Sequence, residues 1–205
     1  QKVPVSLTEL AKANGKSAGV VTTDKTSGAT PASFSAHAIA RKLEKTISAQ
    51  QLESDLDLIW GCESASISKE KCEKNGFTFV QTATQLEALE SSSRSFAQFD
   101  FDEMKNCTGK KDTPSIEQMT KKAIDLLDDN ENGFFLMVEG ACIDKFSHKN
   151  NLEGATMNLV EFDKAVGYAM DYAAKDGDTL VVVTADHETG GIKYNGVTGE
   201  YYYTS

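Results

Sequence analysis

Short apolar runs alternate along this chain with amphipathic helical stripes, and several of the runs lead directly into acidic residues or histidine. That alternation is its strongest constraint on fold. Ala18–Thr23 reads as a buried strand, Leu56–Trp60 as a second, Phe77–Val80 as a third and Ser95–Phe101 as a weaker one. Phe134–Val138 and Leu180–Val183 are the two most strand-like runs. Helices are expected over 4–14 with Gly15 just past the end, from Thr30 to about Lys45, along the stripe Ile116, Met119, Ala123, Ile124 and Leu127, and over 157–175 up to Gly177. Thr30-Pro31 and Thr113-Pro114 each predict a threonine N-cap followed by proline in the first turn, where its missing N–H costs nothing. Ile192–Thr204, punctuated by Gly196 and Gly199, reads as a short hairpin.

Strand–helix alternation of this kind predicts an α/β domain over 1–205, an open and largely parallel sheet with helices on both faces. The more polar stretch at about 61–112 is expected to be an insertion or lid. Ligands bind such sheets at the carboxyl ends of the strands, so the loops after Thr23, Val138 and Thr184 are where chemistry is expected.

Two of those loops are rich in metal-ligand residue types. After Val138 come Glu139, Asp144 and His148; the last two are four apart and share one face of a helical turn. A carboxylate and an imidazole so placed suit zinc, and an acidic helix start with a surface histidine is the plainer alternative. After the run ending at Thr184 come Asp186 and His187, polar groups that need a metal or a tight hydrogen-bond network if buried. Gly190-Gly191 then permits close backbone approach. The chain has three histidines, and two of them lie in these loops beside an aspartate. The third, His37, has no local acidic cluster and reads as a structural histidine. Arg41 reads either as a solvated helix residue or as a planar fork for phosphate.

Lys and Arg number 21 against 31 Asp and Glu, a net charge of −10 with a pI near 4.8, which argues against nucleic acid as a main partner. An anionic substrate would need a metal or a placed arginine to invert the local field. No apolar run reaches the roughly 20 residues of a bilayer span. The opening QKVPVSLTEL carries no basic stretch leading into an apolar core, so no secretory signal is read there. Cys62, Cys72, Cys107 and Cys142 have no zinc-knuckle spacing; a Cys62–Cys72 bridge in an oxidising compartment and free thiols are both open.

Three motifs together resemble the alkaline phosphatases: G-A-T-P-A (Gly28–Ala32) with Arg41 ten residues after the proline, V-E-G-A-C-I-D-K-F-S-H (Val138–His148) and V-T-A-D-H-E-T-G-G (Val183–Gly191). The opening V-P-V-S-L-T-E-L-A-K-A-N-G-K-S-A-G-V-V-T-T is similar to the stretch before the first motif, so the likeness runs along nearly the whole chain. It implies phosphate monoester hydrolysis with two zinc ions, one magnesium and a covalent phosphoserine. By resemblance, Asp144 and His148 are ligands of the first zinc and Asp186 and His187 of the second. Thr30 and Glu139 are ligands of magnesium, Arg41 is the phosphate clamp, and Lys145 binds phosphate through water. Gly28 departs from the Asp or His usual at that position. The family's nucleophilic D-S-A serine and its first metal-binding Asp, expected upstream, and its H-T-G histidine, expected downstream, do not occur in this sequence.

The chain is therefore expected to be the middle and larger part of such an enzyme, inactive alone and weak in zinc binding. The resemblance also implies a periplasmic or extracellular location and leaves a homodimer open. The competing expectations are another member of the wider superfamily, a phosphomutase or sulfatase, and a non-catalytic lobe that binds metal or anions.

Overall fold

The computed structural model describes residues 3–91, 93–107 and 109–204; Gln1, Lys2, Ser92, Thr108 and Ser205 lie outside the described residues. Five strands make one parallel sheet, in the order β3 (Thr78–Val80), β4 (Ser95–Phe99), β2 (Leu58–Cys62), β1 (Ser17–Lys25), β5 (Phe134–Glu139). Successive side chains in these strands go to opposite faces, and the core divides accordingly. Leu58 and Trp60 join Val21, Ala97 and Phe99 on one face, whereas Ile59 joins Ala18, Val20 and Phe96 on the other. The first face is covered by α7 (Ile116–Leu127) through Met119, Ala123 and Leu127, and by α9 (Leu152–Asp176) through Ala165. The second is covered by Ala11 of α1 (Leu7–Ala13), Leu52 of α3 (Glu44–Glu53) and Cys72 of α4 (Lys69–Lys74). Helices on both faces of a parallel sheet are what the alternation predicted. Gly61 lets the end of β1 press against β2: a Cβ there would lie 2.6 Å from the Asp24 carbonyl oxygen.

Local chemistry sets the helix ends. Ser6 and Glu9 form a capping box on α1, and Ser115 and Gln118 form one on α7, so Ser115 rather than Thr113 is the cap of that helix. α9 starts at Leu152, capped by Asn151, and ends at Gly177 in the left-handed region. The helix expected from Thr30 to Lys45 is two helices, α2 (Ala29–Ser35) and α3, with Gly28 at the cap position. The Ser33 and Ser35 hydroxyls donate back to the Ala29 and Pro31 carbonyls, which competes with continuation of the helix. Gln50 then grips both backbone groups of His37 and holds that segment non-helical.

The polar stretch over 61–112, expected as an insertion or lid, supplies β3 and β4 of the sheet together with α4, α5 (Ala83–Glu87) and α6 (Phe101–Asn106). Leu180–Val183, expected as a strand, is irregular and pairs with no strand among the described residues. Leu180 is 86% and Val182 73% exposed. β-propensity alone did not make a strand here, because a strand exists only where a neighbouring edge takes its hydrogen bonds. The tail forms the expected hairpin, β6 (Ile192–Asn195) with β7 (Glu200–Tyr203), antiparallel. All four cysteines are free thiols; Cys62 and Cys72 lie in the cores on opposite faces of the sheet, which excludes their bridge. No described helix is long and apolar enough to cross a membrane.

Candidate functional site

β1 leads to β2 on one side while β5 lies on its other side, so a crevice opens at the carboxyl ends of β1 and β5. The register pairs Thr22 with Glu139, and the Thr22 hydroxyl donates to Glu139 Oε2 at 2.5 Å. The Thr30 hydroxyl, which was expected to cap a helix, bonds the same carboxylate instead. Burial raises the Glu139 pKa above the ordinary carboxylate value; the two threonine bonds and Lys145 oppose that, and the nearby Asp24 charge adds to it.

α8 (Ala141–Ser147) begins directly after β5 and carries Asp144 and Lys145. Lys145 Nζ lies 2.9 Å from Asp24 Oδ2, at the end of β1. Burial pulls the Lys145 pKa down, but the Asp24 hydrogen bond and charge outweigh it and leave the pKa raised. His148 follows α8, with Nε2 at 3.4 Å from Asp144 Oδ1, as the spacing of four predicts. The Cys142 thiol is buried beneath this helix, donates to the Thr23 carbonyl, and has its pKa pushed up to about 11.

The loop 185–191 approaches α8 from outside the sheet. Thr189 Oγ1 donates to Asp144 Oδ1 at 2.6 Å and lies 3.1 Å from His187 Nδ1. His187 Nδ1 is 2.7 Å from the Glu188 carbonyl oxygen. A carbonyl only accepts, so Nδ1 carries the proton and Nε2 is the nitrogen left for a metal. That bond, and then the Asp186 charge, raise the His187 pKa. Gly190, at φ +81°, is what allows the approach: a Cβ there would be 2.5 Å from the Ser147 carbonyl oxygen.

The structure thus brings Thr30 and Lys145 to Glu139, pairs Asp144 with His148, and ties His187 to Asp144 through Thr189. Asp186 stays with His187, its Oδ2 being 3.4 Å from His187 Nε2. Arg41 does not join them: it is exposed in the turn between α2 and α3 and makes no hydrogen bond or ion pair among the described residues. The His37 imidazole bonds Glu9 Oε1 at 2.8 Å through Nε2, while Gln50 holds its backbone, which suits a structural histidine. Asp24 and Thr22 escaped the sequence reading, although Asp24 directly follows Thr23, the strand end singled out there.

The donor set fits zinc and magnesium in kind, carboxylate with imidazole in two pairs and carboxylate with hydroxyl in one. It falls short in number. Among the described residues no three of His, Cys, Asp and Glu gather into one metal-holding group.

By fold the chain falls in the class of parallel α/β sheet proteins, with carboxylates, imidazoles and a lysine near the switch point. Within it, the family model described as alkaline phosphatase matches residues 1–64 and 63–204, and the chain belongs to that family. Alkaline phosphatase 3 of Bacillus subtilis is 34% identical over 209 residues, covering 96% of this chain and 45% of its own length. Escherichia coli alkaline phosphatase is 32% identical, with 89% and 51% covered. Among solved structures, the cold-active alkaline phosphatase of a Shewanella species superposes with a TM-score of 0.85 at 33% identity, over 94% of this chain and 49% of that one. A variant of the alkaline phosphatase from the Antarctic bacterium TAB5, solved with magnesium in its M3 site, superposes at 0.76 with 30% identity, over 97% and 64%. The chain spans about half the length of the curated relatives named here.

Proposed function

We propose that this chain forms the metal- and phosphate-holding part of an alkaline phosphatase acting on phosphate monoesters. The observation that carries the reading is the meeting of three segments at the β1–β5 crevice, Glu139 under Thr22 and Thr30, Lys145 against Asp24, and Asp144 joined through Thr189 to His187. In this reading Thr30 and Glu139 would hold magnesium, Asp144 and His148 one zinc, and Asp186 and His187 a second. Such ions, when bound, supply Lewis-acid stabilisation of the attacking and leaving oxygens.

The chain's own groups do the rest. Thr22 and Thr30 aim the Glu139 carboxylate, and Thr189 aims Asp144. Lys145 offers a cation to the phosphate, and Arg41 is assigned to clamp its non-bridging oxygens, a role that requires the 39–42 turn to bring it in. The nucleophile is a serine outside this sequence. A homodimer and a periplasmic or extracellular location belong to the same reading.

The test uses the 205-residue chain with zinc and magnesium, inorganic phosphate as ligand and p-nitrophenyl phosphate as substrate. Metal-dependent phosphate binding without turnover is expected. Absence of phosphate binding would overturn the anion role. Turnover lost on adding chelator and in Asp186→Ala would overturn the assignment of the nucleophile to a serine outside the chain.

A further inference from the structure

Gly28 leaves a space beside the site, and Asp24 fills it. A Cβ built on Gly28 would lie 3.3 Å from Asp24 Oδ2 and 3.0 Å from the Lys25 carbonyl oxygen, so a larger side chain there would crowd the Asp24 carboxylate. The same Oδ2 is the atom 2.9 Å from Lys145 Nζ. The Asp24 backbone is anchored as well: its N–H donates to Thr22 Oγ1 at 3.1 Å, and that hydroxyl donates to Glu139. One short segment therefore ties the lysine of α8 to the carboxylate of β5. The Lys145 and Asp24 side chains are 38% and 20% exposed, so the pair is screened less than a surface pair.

We propose that Asp24 is the positioning residue for Lys145, and that it sets the affinity of the site for phosphate. Its carboxylate holds the ammonium toward β1 and offsets part of the positive charge an incoming phosphate meets. Gly28 is the companion of this arrangement, since it leaves the room that Asp24 uses. The inference rests on the phosphatase reading for the identity of the anion, but not for the ion pair itself.

The experiment is equilibrium binding of inorganic phosphate to the 205-residue chain, with zinc and magnesium present, for wild type, Asp24→Asn, Asp24→Glu, Lys145→Ala and the double variant Asp24→Asn/Lys145→Ala. Asp24→Asn is expected to tighten binding by about five-fold, the size of one partly screened charge interaction. Asp24→Glu should return it to near the wild-type value. In the Lys145→Ala background the Asp24→Asn effect should vanish, which neither a general structural role nor a direct metal role for Asp24 would produce. An unchanged affinity in Asp24→Asn, or an equal effect in both backgrounds, overturns the proposal. If wild type binds no phosphate, the phosphatase reading fails and Asp24 sets no phosphate affinity. The positioning claim is then decided by the same variants in urea unfolding, where zero coupling between Asp24→Asn and Lys145→Ala overturns it and a favourable coupling upholds it.

Discussion

The loop after β5 and the loop over 185–191 carry the same residue chemistry, an aspartate with a histidine, in opposite physical circumstances. The first is built by the sheet. Glu139 ends a strand in register with β1, and Lys145 and Cys142 reach back to Asp24 and Thr23. The second follows an apolar run that stays exposed and pairs with no strand among the described residues, and it meets α8 through Thr189 on Asp144, with Tyr203 of β7 donating to Ser147 beside it. Residue type made both loops look alike as ligand donors. Only pairing partners distinguish a site half that is preorganised from one that waits for support.

The largest expected effect sharpens that contrast. Trp60 is wholly buried in β2, with its indole N–H donating to Ser95 Oγ at 2.9 Å. Trp60→Ala should cost about 3–5 kcal/mol in urea unfolding, enough to leave a marginal domain largely unfolded. Val182→Ala, in a run equally apolar on paper, should change stability by less than about 0.5 kcal/mol. A comparable loss at both positions would mean that the 180–184 run is packed in solution.

Metal binding tests whether the two halves cooperate. Zinc titrated into the chain by calorimetry should bind weakly, because each proposed site has two ligands of the described set. Asp144→Ala should weaken that binding by about ten-fold or more, since it removes a ligand of the first pair and the anchor of Thr189 together. Two tight sites in the wild type would contradict the ligand count.

The contact between the halves has its own probe. Gly190→Ala forces a side chain into the left-handed region and against the Ser147 carbonyl, and should cost about 1–2 kcal/mol locally. Hydrogen exchange should speed up in 185–191 and the β6–β7 hairpin while β1, β2 and β4 stay protected. Deprotection of the sheet strands as well would show that the loop supports the core.

Most of the fold was legible in the sequence because the main strands of the sheet are short apolar runs buried on both faces with helices to cover them, as with Ala18–Thr23 between α1 and α7. Leu180–Val183 was misread because composition reports propensity and says nothing of an available edge. The helix after Pro31 was overextended because the back-bonding of Ser33 and Ser35, and the grip of Gln50 on His37, depend on tertiary placement. At the site, Asp144 and His148 were legible from their spacing of four and Glu139 from its strand end. Asp24 was not, since an aspartate after a strand is common and only the fold brings Lys145 to it. Thr30 was legible as a residue and misassigned as a cap, its hydroxyl being taken by Glu139 instead.

The smallest effect concerns α1, which packs behind β1 and β5 and so belongs to the supported half. The Ser6 backbone N–H, donating to Glu9 at 2.8 Å, and then His37 hold the Glu9 carboxyl below its ordinary value. A carboxyl with a lowered folded-state pKa adds stability above its unfolded value, and that stability is lost as pH falls through the folded value. The α1 amides should therefore lose protection on acidification below about pH 4.5, the ordinary value for glutamate. Glu9→Gln, which keeps an acceptor in the capping box, should flatten that acid limb and leave protection at neutral pH slightly lower. Because Glu9 is half exposed and screened, the change should be small and confined to α1 and its contacts with β1. Amides over 178–189, which have no part in the α1 cap, should not follow it. If they did, the two halves would be coupled through the sheet, and the difference between the loops would be one of degree.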